Sequence, residues 1–118
     1  MGLQRITTLF MRGESYWVEL PDGEGSEQEG ERPVLIVSND YGNTFSPVVN
    51  VVPMTLEAKK PIPTHALIES SLGLQTVLCE QVMTVDKSRL LSKHLIFSPE
   101  DMFKVDKALF NVFFYQGS

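Results

Sequence analysis

One segment of this 118-residue chain carries a full helix signature, and it lies at the C-terminal end. Ser98 stands as N-cap, Pro99 takes the first helical position, and Glu100 and Asp101 occupy the first turn, where acids suit the positive end of the helix dipole. At about 100° per residue, Met102, Val105, Leu109, Val112 and Phe113 form one apolar stripe, while Phe103, Phe110 and Phe114 form a second. Glu100, Lys104, Lys107 and Asn111 make the wet face. The first stripe packs on a sheet; the second either adds burial or meets another subunit, because a small domain rarely hides two stripes alone. Everything before Ser98 is cut into short runs by glycine, proline and polar clusters, so the chain is mainly β with one C-terminal α-helix.

The runs themselves read as strands. Glu14 to Leu20 alternates with period two and puts Tyr16, Val18 and Leu20 on one half-buried face. Residues 21–31 hold glycine and acid with no apolar residue besides Pro21, which predicts an exposed loop. Val34-Leu35-Ile36-Val37 is a continuous β-branched and leucine run, the pattern of a strand buried on both faces. Ser38 to Pro47 reads as a turn segment. Val48 to Val52 is a third strand ending near Pro53-Met54-Thr55, and Pro61 and Pro63 bar helix or central strand from the segment around Lys59 to Pro63. Thr64 to Glu69 and Thr76 to Val85 read as two more strands around a turn containing Gly73, and Asp86 to Leu90 as a short helical turn. These elements predict a small twisted barrel or curled sheet with a helix on it, in a single domain with residues 1–11 as an N-terminal extension. Gln116-Gly117-Ser118 resembles an expression-tag remnant.

Composition narrows the class. With 42% hydrophobic and 21% charged residues the chain can bury one core, which excludes global disorder. No window reaches membrane-spanning length, and no apolar stretch serves as a signal peptide, which predicts a cytoplasmic protein without a membrane partner. The single Cys79 sits in an apolar run and reads as a small buried hydrophobe. The net charge of −5 argues against a broad nucleic-acid-binding surface.

Most catalytic signatures are missing. His65 and His94 lie far apart in sequence, match no metal-ligand spacing, and read as structural or surface residues. The glycines of 25–32 mimic a phosphate loop, but Glu31-Arg32 stand where Lys-Ser/Thr belongs, and the surrounding acids would repel phosphate. Arg32 itself stands out: no Lys or Arg precedes it since Arg12, and it lies where a loop becomes a buried strand. On pattern alone it either neutralises Glu29 or Glu31 at a strand edge, or sets a guanidinium fork at the floor of a loop-covered cleft.

The blocks Gly13 to Leu20, Gly25 to Val37, Asn39-Asp40, Asn43, Ser46-Pro47, Pro53-Met54-Thr55, Pro63-Thr64-His65, Glu80-Gln81 and Thr84 to Leu90 resemble the MazF/PemK (Kid)-type toxins of toxin–antitoxin modules. The resemblance spans about Arg12 to Leu109. It implies a small SH3-like barrel with a C-terminal helix (the MazF/CcdB-like toxin fold), a homodimer, and a metal-independent endoribonuclease with no cofactor. Such an enzyme cuts single-stranded RNA, often mRNA, through attack by the ribose 2′-hydroxyl, and is silenced by an acidic antitoxin protein. The family's catalytic arginine and threonine carry over to Arg32 and Thr55, and substrate-binding positions to Ser26, Gln28, Asn43, Ser46 and Gln81.

Arginine is a poor general base because its pKa exceeds about 12, so Arg32 is assigned to charge stabilisation and Thr55 to orienting the phosphate. The base is open between Glu31, expected to point away across the strand, and Glu80, expected to be a structural buried acid. Leu78 and Glu80 stand where some relatives carry arginine and aspartate, Met83 replaces a common basic residue and Val48 a common threonine. A non-catalytic gyrase poison like CcdB is the alternative, as is a degenerate partner-binding relative, but the C-terminus lacks the Trp-Gly-Ile on which CcdB depends. Six of the 15 acids fall between Glu19 and Glu31, so the negative charge describes the loop ahead of Arg32 more than a binding face.

Overall fold

A computed structural model describes residues 9–20, 30–57 and 59–117. Among these residues seven antiparallel strands run β1 (Glu14–Leu20), β2 (Gly30–Ile36), β3 (Val48–Thr55), β4 (His65–Ser70), β5 (Gly73–Leu78), β6 (Met83–Asp86) and β7 (Leu90–Ile96). Among the described residues two helices, α1 (Asp40–Phe45) and α2 (Pro99–Phe114), accompany the strands. The sheet follows the path β4-β5-β3-β2-β1-β7, with β6 on the free half of β3. Its two ends do not pair with each other among the described residues, so the expected barrel is a curled sheet that does not close.

Alternation along β2 explains why its run is apolar throughout. Leu35 enters one core cluster with Val52, Met54, Ile68, Val77, Cys79, Met102, Val105 and Ala108, the layer between sheet and α2. Val34 and Ile36 point the other way, into a second cluster with Tyr16, Val18, Val49, Val51, Val85 and Leu90 inside the curl. All three β2 residues are fully buried, as a strand covered on both faces requires. Tyr16 and Val18 are buried as their spacing predicts; the Leu20 side chain lies outside the described part.

The start of α2 is as expected: the Ser98 hydroxyl accepts from the Asp101 N–H at 3.1 Å, and the Asp101 carboxylate accepts from the Ser98 N–H at 3.4 Å. The stripe needs one correction. Met102, Val105 and Ala108 are buried and Leu109 and Val112 pack beside them, but Phe113 is exposed. It lies one position past Val112, about 100° round the helix, which carries it off the sheet-facing side. Phe103, Phe110 and Phe114 also face out.

Two other expectations change, and one strand had no expectation. Ser38 to Pro47 contains a helix, α1, because the Asn39 side chain accepts from the Gly42 N–H at 2.8 Å and Asp40 supplies an acid to the first turn. The run from Thr76 to Val85 is not one strand: β5 starts at Gly73, and a 3-10 turn at Cys79–Gln81 separates it from β6. That break lets the chain step along β3, since β5 pairs with Met54 and Thr55 while β6 pairs with Val48 to Val51. Strand β7 carries no alternation by which to be read, being an edge with four of its seven residues exposed. The Lys87–Arg89 turn is as expected.

Pro53 is tolerated inside β3 for a related reason. Val37 donates to the Asn50 carbonyl at 2.9 Å, so alternate pairs down the ladder are the hydrogen-bonded ones, and the Val34–Pro53 pair is not. The proline nitrogen therefore faces away from β2, at the gap between β6 and β5, where no ladder donor is needed.

Candidate active site

Pairing between β2 and β3 ends at Val34–Pro53; beyond it β3 pairs with β5 on its other edge while residues 30–33 of β2 stay with β1. The strands part, and Arg32 and Thr55, two positions beyond that pair in the same register, line a slot of about 300 Å³. Glu31, Arg32 and Pro33 form one wall and Met54, Thr55 and Leu56 the other, closed off by Trp17, Leu72, Gln75 and His94. A ladder that breaks between two central strands thus exposes one guanidinium and one hydroxyl within a single opening.

The local bonding leaves both groups usable. Thr55 Oγ1 accepts the Glu57 N–H at 3.1 Å, and its hydroxyl hydrogen has no acceptor among the described residues. Arg32 is half-buried and has no hydrogen-bond partner among the described residues. Glu57 lies below its ordinary carboxylate range, chiefly because Lys59 binds it at 3.0 Å and also because of the nearby Arg32 charge. The slot thus carries its cation beside an acid already committed elsewhere.

His94 enters the slot from β7. Its ring meets Trp17 edge-on, centroids 4.7 Å apart, and burial holds its pKa below the ordinary 6.5. Sequence reasoning set this histidine aside, and also missed Trp17 and the almost fully buried Gln75. No spacing signal marks any of the three, since they reach the slot from β7, β1 and β5.

The remaining expected site residues lie elsewhere. Asn43 is buried in α1, its amide donating to the Ser38 carbonyl at 2.8 Å and to Asp40 at 3.1 Å. Ser46 Oγ accepts from the Val48 N–H at 3.3 Å, and Gln81 is exposed on the 3-10 turn. None of these three lines the slot. Ser26 and Gln28 lie outside the described residues. Glu31 does line the slot despite the strand alternation. Glu80 is exposed and not a buried acid: it binds the His65 ring at 3.2 Å and accepts from the Thr64 hydroxyl at 3.3 Å. His65 is therefore a structural partner, as its sequence context suggests. Cys79 is fully buried, and burial pushes its thiol up to about 12, consistent with an inert core residue.

An open, curled antiparallel sheet with one C-terminal helix is a fold shared with solved toxins of toxin–antitoxin modules. A mycobacterial endoribonuclease solved in complex with its cognate antitoxin superposes with a TM-score of 0.74 at 27% identity, covering 92% of this chain and 98% of that one. MazF from Deinococcus radiodurans shares the fold at a TM-score of 0.73 and 23% identity, over 90% of this chain and 97% of that one. In sequence, endoribonuclease EndoA of Bacillus subtilis is 43% identical over 103 residues, spanning 83% of this chain and 89% of that protein. The model of the PemK-like, MazF-like toxins of type II toxin–antitoxin systems matches residues 11–113, and this chain belongs to that family.

Proposed function

We propose that this protein is an endoribonuclease toxin that cuts single-stranded RNA in the slot between β2 and β3. The observation that carries this reading is the pair Arg32 and Thr55 on opposite walls of one opening. When a ribose 2′-hydroxyl attacks the adjacent phosphorus, the 2′-oxygen–phosphorus bond forms and the phosphorus–5′-oxygen bond breaks. The products are a 2′,3′-cyclic phosphate and a 5′-hydroxyl. Charge grows on the non-bridging oxygens as the phosphorus becomes five-coordinate, and a guanidinium fork held in a partly dry slot meets that charge with little reorganisation. Thr55 donates its hydroxyl to a second oxygen and fixes the phosphate for in-line displacement. The gyrase-poison alternative is not favoured, because the relatives that resemble this chain in sequence and structure are named endoribonucleases.

The protein works as a homodimer held in check by an acidic antitoxin. The exposed aromatic face of α2 supports self-association, since monomers rarely leave so many large apolar side chains together. The Arg32 guanidinium in the slot supports an acidic inhibitor, which would compete with phosphate for it. Among the described residues no helix is long and apolar enough to cross a membrane, and the toxin acts in the cytoplasm, where its mRNA substrate lies.

The test is incubation of purified protein with a long transcript. Cleavage with 5′-hydroxyl and cyclic-phosphate ends, unaffected by EDTA, is expected; a strict divalent-ion requirement, or 5′-phosphate ends, would contradict the reaction.

A further inference from the structure

We propose that His94 is the general base of this ribonuclease, taking the 2′-hydroxyl proton as the oxygen attacks. This rests on the ribonuclease reading and supplies what Arg32 and Thr55 lack. A guanidinium remains protonated at any working pH, and a threonine hydroxyl is no proton acceptor of useful strength.

The geometry begins with β7. Between Glu14 and Tyr16, and again between Tyr16 and Val18, β7 spends one more residue than β1, so the strand carries two consecutive irregularities. His94 falls inside the first, in the stretch Lys93 to Ile96 that opposes Glu14 to Tyr16. Such bulges re-aim side chains next to reaction sites. Here the imidazole lies against the Trp17 edge and lines the same opening as Arg32 and Thr55. Neither ring nitrogen has a hydrogen-bond partner among the described residues, in contrast to His65, whose Nε2 is taken by Glu80.

Burial, not a neighbouring charge, is what lowers the His94 pKa. Arg32 and Glu31 of β2 line the slot with it; Lys93, its neighbour on β7, is tied to Glu14 of β1 at 3.0 Å. Partial burial lowers the imidazole pKa, so the proton-accepting form prevails near neutrality.

The step balances without another reactant. The 2′-oxygen–phosphorus bond forms as the 2′-proton moves to a His94 ring nitrogen. The phosphorus–5′-oxygen bond breaks, the leaving oxygen takes a proton from water, and His94 returns its proton to solvent.

The experiment is a single-turnover pH–rate profile of RNA cleavage by the full-length wild type, His94→Gln and Glu31→Gln, with the wild-type His94 ring titrated by NMR. In the wild type, the rate should climb with unit slope to a plateau, its half-point below 6.5 and matching the His94 titration. His94→Gln should lose that limb and fall about 10²–10⁴-fold in rate with little change in KM. Activity and an acidic limb that persist in His94→Gln overturn the proposal while leaving the ribonuclease reading intact, as does a limb removed by Glu31→Gln alone. A His94 titration far from the kinetic half-point overturns it even if the variant fails to fold. Absence of cleavage by the wild type overturns both readings.

Discussion

Replacing Arg32 isolates the slot's electrostatics from the stability of the fold. Arg32 is half-buried at the mouth of a break in the ladder, and neither of the two core clusters includes it. Truncation to alanine should therefore change folding free energy by less than about 1 kcal/mol, a shift of only a few degrees in Tm for a chain of this size. Catalysis should suffer far more. Among the described residues the slot lining includes no second Lys or Arg, so Arg32→Ala removes the guanidinium that faces the developing phosphorane charge. Loss of one preorganised donor at such a position costs about 3–4 kcal/mol, or about 10²–10³ in kcat. Arg32→Lys keeps the charge but gives up the planar fork, and should fall between the two. The assay is single-turnover cleavage of a fluorogenic RNA, with thermal melting of each variant alongside. A Tm within a few degrees of wild type combined with Arg32→Ala activity within threefold of wild type would refute the assignment.

Two further outcomes concern the scaffold. Ser98→Ala removes the hydroxyl that caps α2 and should lower unfolding free energy by about 1 kcal/mol in urea titration, without a change in cleavage; a loss under about 0.3 kcal/mol would contradict the cap's role. Burial pushes the Glu14 carboxyl up, but the Met11 N–H, Lys93 and the Tyr16 hydroxyl outweigh it and hold the group below 4.5. A depressed carboxylate stabilises the fold above its unfolded pKa and loses that contribution as pH falls through its folded value. Wild type should thus exceed Glu14→Gln in stability at neutral pH, and the gap should close in urea titrations taken below about pH 4; a gap independent of pH would sink this account.

Local signals in the chain determined whatever depends on neighbours in sequence. The Ser98-Pro99 start of α2, the two-faced burial of Val34 to Ile36 and the burial of Tyr16 and Val18 on β1 each come from side-chain periodicity and capping, and each is realised. The motif around Arg32 and Thr55 was likewise legible through family resemblance. Tertiary structure decided where pairing changes hands. Nothing in Thr76 to Val85 marks the 3-10 turn that divides β5 from β6, because the need for it arises on β3, which must be paired by two different strands along its length. The slot is a second such change of pairing: just beyond Pro53 β3 parts from β2 while β5 pairs with its other edge, and Arg32 and Thr55 line the gap. His94 enters that gap from β7, where the register against β1 shifts, a property of two strands distant in sequence and of neither alone. Residue patterns encode which faces want burial; which strand supplies the partner, and therefore where a ladder opens into a reactive cleft, is settled by packing the whole sheet.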